Sequence, residues 1–170
     1  KQGMIQPITA AINSTVCVLF ENSPDNKPSQ RGDEISLQLY NTETDRWRYG
    51  APLPPDMGDT WGARAVTVNG SMFVAGKVNG ACAQYILDTN TWVKLSQPNV
   101  NHEYGSLVTY DGNILLLGGS SDRKVDKDGY WTPDNQAEEY MISSNKWRVR
   151  RDMELPVKLV GHHVVVIDAE

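Results

Sequence analysis

The side chains able to do bond chemistry are few and scattered. There are three histidines: His102 stands alone, and His162 and His163 are adjacent. Neighbouring residues on a strand point to opposite faces, so His162 and His163 cannot readily ligate one metal ion together. The two cysteines, Cys17 and Cys82, sit within apolar runs and form no C-x-x-C pair. They read as buried, reduced thiols. Asp126-Lys127-Asp128-Gly129 resembles the start of a calcium loop but lacks the remaining ligands and the closing glutamate. No phosphate loop, no G-x-S-x-G and no nucleic-acid motif is present. The expectation is a chain that is not an enzyme and has no metal site and no cofactor.

What remains is recognition chemistry. Arg31, Trp61, Arg64, His102, Tyr104, Arg123, Lys124, Tyr130, Trp131 and Lys158 fall in links or at strand starts. Arginine, tyrosine and tryptophan are the types enriched in binding hot spots. Arginine can grip a carboxylate bidentately, which points to an acidic peptide. Asp25, Asp33, Asp122, Asp126 and Asp128 share these loops and dilute that charge.

The elements that position these residues follow a repeat. Asp111-Gly112, then the apolar run Asn113 to Leu117, then Gly118-Gly119 precede Tyr140 and Trp147. Asn69-Gly70 and the run to Gly76 precede Tyr85 and Trp92. Asn13-Ser14 and the run to Phe20 precede Tyr40 and Trp47. A period of about fifty residues signals a repeat architecture. Each unit reads as four strands joined by polar turns, and Asn-Gly and Asp-Gly between β-rich runs predict tight hairpins. No helical period exceeds two turns. The units span 5–55, 62–97 and 103–151, and a fourth opens as a strand at 160–170. The class is all-β. A lone four-stranded sheet leaves an apolar face in water, and radial stacking buries it.

Antiparallel order also fixes the ends. With the strands of a unit named A to D, links A–B and C–D emerge at one end, and links B–C and D–A at the other. The long links, 22–33 and 120–136, are both B–C. The binding face is therefore expected at the B–C and D–A end, since loops on a rigid scaffold carry recognition.

Bulk properties agree. The chain has 170 residues and a net charge of -5, which argues against nucleic acid. No apolar run approaches the roughly 20 residues that cross a bilayer, so no membrane partner is expected. No signal peptide is visible, and the expected location is cytoplasmic. Asn13-Ser14-Thr15 and Asn69-Gly70-Ser71 fit the glycosylation sequon, but hairpin turns explain both asparagines.

The order of turn, apolar strand, Gly-Gly, then a tyrosine seven positions before a tryptophan resembles the kelch repeat. Unit three matches best. Unit two has Ala75 for the first glycine, and either Tyr85 or, in a shortened hairpin, Leu87 for the tyrosine. Unit one has Glu21-Asn22 in place of the glycines. The resemblance implies a segment of a kelch β-propeller, a ring of about six blades, most like the BTB–kelch proteins. It implies a protein–protein interaction module that presents substrates to a cullin-3 ubiquitin ligase through a domain outside this sequence. Two alternatives are a kelch scaffold binding actin, and, more remotely, a copper oxidase. Three units and a fraction do not close a ring, so the chain is expected to be part of a longer protein or to complete its ring with another copy or chain.

Overall fold

The computed structural model describes residues 7–22, 34–57, 60, 62–76, 81–120 and 132–167. Twelve strands form three four-stranded antiparallel sheets. The first holds β1 (Ile8–Ile12), β2 (Thr15–Asn22), β3 (Glu34–Asn41) and β4 (Arg46–Tyr49). The second holds β5 (Arg64–Val68), β6 (Ser71–Ala75), β7 (Cys82–Ile86) and β8 (Thr91–Leu95). The third holds β9 (Ser106–Tyr110), β10 (Asn113–Gly119), β11 (Asp134–Met141) and β12 (Lys146–Val149). In each sheet the strands lie in chain order, as expected of propeller blades joined by hairpins.

The turns form for the reason their residues suggest. Asn13, Asn69 and Asp111 open the first hairpins with φ near +50°, a region that short polar side chains tolerate. The glycine pair does two jobs in β10. Gly118 and Gly119 have φ of +60° and +91°, and the ladder to β11 slips between Leu117 and Gly119. A Cβ on Gly119 would lie 2.8 Å from the Glu103 carbonyl oxygen. Only glycine allows that approach.

The core sits between blades. Ile12, Leu19, Leu37 and Leu39 of the first sheet pack with Met72, Val74, Ala83 and Tyr85 of the second. Val68, Phe73 and Cys82 of the second pack with Ile114, Leu116 and Tyr140 of the third. Cys17 and Cys82 are buried and lie in different clusters, so no disulfide joins them. Burial, partly opposed by Arg48, pushes the Cys17 thiol up to about 11, so it is an inert core group.

Tyr85, not Leu87, fills the tyrosine slot of unit two. It faces Trp92 across the sheet, as Tyr40 faces Trp47 and Tyr140 faces Trp147. The three ring pairs have centroid separations of 5.0, 5.1 and 5.2 Å. The first tryptophan is not buried between blades: Trp47 is 58% exposed.

Of the strand expected at 160–170, the described residues 162–167 join no ladder with another described strand. Strand pairing needs a neighbour's hydrogen bonds, and no described strand offers them there. The segment is held by single bonds instead. Gly119 N–H donates to the Leu159 carbonyl (2.8 Å) and Ser106 Oγ to the His162 carbonyl (2.7 Å).

Candidate functional site

The inner strands β1, β5 and β9 begin at one level. Ile8 pairs with Leu19, Arg64 with Ala75 and Ser106 with Leu117, each at the far end of its hairpin from the turn. Ile8, Arg64 and Ser106 are therefore the same position in three blades. They open onto a cavity of about 830 Å³ that Thr9, Thr60, Tyr104 and His163 also line. This is the end of the sheets where the D–A links run.

A backbone chain ties these links together. Tyr104 N–H donates to the Gly62 carbonyl (3.0 Å), and Gly161 N–H donates to the Tyr104 carbonyl (2.8 Å). All three residues are left-handed, with φ of +70°, +58° and +70°. Two are glycines, as that conformation favours. The third is a bulky aromatic residue, for which it is strained. Strain held in place by its surroundings clusters at functional sites.

Arg64 is the cation of the cavity. It is half-buried, and its Nη1 donates to the Ala63 carbonyl at 3.0 Å. Its Nε is buried and has no hydrogen-bond partner among the described residues. Burial lowers its pKa, partly opposed by Tyr104. A buried guanidinium N–H without an acceptor is costly. His162 and His163 divide as their adjacency requires: His163 lines the cavity, and the His162 ring is turned inward with both nitrogens buried. Burial, then the charges of Arg64 and His163, lower the His162 pKa.

Of the sequence-predicted contact residues, Arg64 and Tyr104 come together at the cavity. Lys158 is exposed on the third D–A link. His102 is a correction: it is 1% exposed and cannot touch a partner. Its Nδ1 lies 2.7 Å from the Gly118 carbonyl and its Nε2 3.3 Å from the Glu138 carboxylate. Glu138 also accepts from the Asn99 and Val100 backbone N–H groups, both at 2.9 Å. His102 thus belongs to a buried tether that fixes the second D–A link onto the third blade. Arg31, Trp61, Arg123, Lys124, Tyr130 and Trp131 lie outside the described residues.

Thr60, Ser106 and His163 were missed. The signal was available for Ser106, since alignment of the hairpins places it opposite the same turn distance as Arg64. Thr60 donates to Glu21 at 3.1 Å. In unit one, a buried carboxylate therefore meets the D–A link at the position that Gly119 takes in unit three. Among the described residues no three His, Cys, Asp or Glu converge on a metal position. No described helix is long and apolar enough to cross a membrane.

Three four-stranded blades in chain order, with the Tyr–Trp pair on the outer strands and the glycine pair closing the second strand, define a kelch-type β-propeller fold. Comparison with known proteins supports this. No protein-family model matches the chain. It is 26% identical over 128 residues, 71% of this chain, to human Kelch repeat and BTB domain-containing protein 13. It superposes on the solved structure of YjhT with a TM-score of 0.66 at 15% identity, over 91% of this chain. The chain spans 26% of the length of the first and 51% of the second.

Proposed function

We propose that this chain is the recognition part of a kelch adaptor, and that it captures an acidic protein segment at the cavity formed by Arg64, Tyr104, Ser106 and His163. The observation that carries this reading is the buried Arg64 Nε without an acceptor, beside a tyrosine held in a strained conformation. A carboxylate entering the cavity satisfies the guanidinium and replaces lost water contacts with a charge-assisted bond. Lys158, which is exposed, belongs to the same end of the blades by strand order, as do Arg31, Trp61, Arg123, Lys124, Tyr130 and Trp131 outside the described residues, and these would extend the contact.

The likeness to a protein named for kelch repeats and a BTB domain supports the adaptor reading. There the chain presents its captured partner to a cullin-3 ubiquitin ligase as a non-catalytic part, in the cytoplasm. In the second reading the same face holds actin.

Two substitutions test the site. Arg64→Ala should abolish capture of a glutamate-rich peptide with little loss of stability. Tyr104→Gly should relieve strain of about 1–2 kcal/mol, offsetting the loss of its half-buried ring, while capture falls. Unchanged capture by both variants would remove the cavity from consideration. Co-sedimentation with actin filaments in place of peptide capture would favour the scaffold.

A further inference from the structure

The first two D–A links make the same turn at the cavity and fix it differently. In the first, Ala63 N–H donates to the Thr60 carbonyl at 3.1 Å, and in the second Gly105 N–H donates to the His102 carbonyl at 2.9 Å. Gly62 and Tyr104 hold the third position of these turns, with φ of +70° and +58°. Positive φ at that position favours glycine. Gly161, at +70°, is the counterpart in the third link. Two residues before the left-handed one stand Thr60, His102 and Leu159.

The anchorage of that earlier residue follows the strain. Leu159, ahead of a glycine, carries an apolar side chain. Thr60, also ahead of a glycine, donates through its hydroxyl to Glu21 at 3.1 Å. His102, ahead of the tyrosine, is gripped at both ends of a fully buried ring. The Gly118 carbonyl can only accept, so Nδ1 carries a proton and donates to it at 2.7 Å. Nε2 meets the equally buried Glu138 carboxylate at 3.3 Å. Three donors of the same link fix that carboxylate in turn: the Asn99 and Val100 N–H groups at 2.9 Å and Asn99 Nδ2 at 2.6 Å. Glu103 is held as well, exchanging backbone bonds with Ser120 at 3.2 and 2.9 Å.

We propose that His102 and Glu138 are positioning residues for the cavity. Their buried contact keeps the 102–105 turn closed against the backbone preference of a tyrosine. It thereby sets Tyr104 beside Arg64, where both line the cavity. A glycine at 104 would hold the turn unaided but supply no ring. Strain of this kind persists where the surroundings over-determine it. A buried pair that loses one partner leaves the other uncompensated, so single substitutions open the tether. What the ring does in the cavity rests on the capture reading above, and its placement does not.

Amide hydrogen exchange at Gly105, whose N–H closes the turn, tests this, with the β10–β11 ladder amides as the reference for global opening. Glu138→Gln removes the charge that the link's donors meet. His102→Asn keeps a donor for the Gly118 carbonyl but is too short to reach Glu138. In either variant Gly105 should exchange about tenfold or more faster relative to the ladder. Adding Tyr104→Gly to either should restore most of that protection, a rescue that a tether serving only to stabilise blade three would not show. Unchanged Gly105 exchange in both variants, or a loss that Tyr104→Gly does not repair, overturns the proposal. Capture of a glutamate-rich peptide is measured on the same proteins. Rescue at Gly105 without capture by the wild-type chain removes the cavity's role in recognition and leaves the positioning role standing.

Discussion

Blade three and blade one carry the same aromatic pair in different surroundings. Tyr140 is 2% exposed, and its hydroxyl and the Trp147 indole both serve the contact with blade two. Tyr40 and Trp47 have the same cross-strand register and nearly the same ring separation, but Trp47 is 58% exposed. Sequence and local structure are therefore equal, and packing is not. The kelch signature encodes a hairpin that is ready to clasp, and its contribution to stability comes only from what it clasps.

The largest effect should separate the two tyrosines. Tyr140→Ala removes a buried ring and leaves Asn145 without its hydroxyl donor, and should cost about 3–5 kcal/mol. Tyr40→Ala should cost about 1 kcal/mol or less. Urea denaturation checks both, and equal losses would break the distinction between filled and open clasps.

Next comes Glu138, which locks blade two to blade three and has no counterpart on blade one. Burial raises its carboxyl pKa, but hydrogen bonds from His102, Asn99 and Val100 outweigh burial and hold it below the ordinary carboxylate value. The folded pKa is depressed, so its stabilising contribution is present above the unfolded value of about 4.3 and is lost as pH falls through the folded one. Glu138→Gln should cost about 2–3 kcal/mol at neutral pH. In thermal melts at stepped pH it should also flatten the acid limb relative to wild type. An acid limb unchanged in the variant would assign that loss to other carboxylates.

The smallest effect concerns the indoles. Trp92→Ala and Trp147→Ala each remove a half-buried ring and one interblade hydrogen bond, for about 2 kcal/mol apiece. Trp47→Ala should fall within about 0.5 kcal/mol. Indole N–H exchange sharpens the contrast: Trp92 and Trp147 should be protected and Trp47 should not.

Most of the fold was legible because its signals are local. Asn69-Gly70 and Asp111-Gly112 fix hairpins, and the alternation in residues 34–40 fixes which side faces the core. The interblade clasp was not legible, although every residue in it was visible. Asn90 and Asn145 read as ordinary turn residues, and only packing shows that their side chains reach the blade before. His102 read as a loop residue on the binding face, because burial by Glu138 depends on a contact distant in sequence. The left-handed backbone of Tyr104, named only as a contact residue, could have been read as well, since it stands where the other two links have Gly62 and Gly161.

The most direct measurement is an NMR titration of the chain with a glutamate-rich peptide, observing the Arg64 side-chain Nε–H and the Tyr104 amide. Capture at the cavity predicts saturable shifts at both, with the Asn90 and Asn145 turns at the opposite end unmoved. Shifts confined to those turns, or none at the cavity at any peptide concentration, would contradict it.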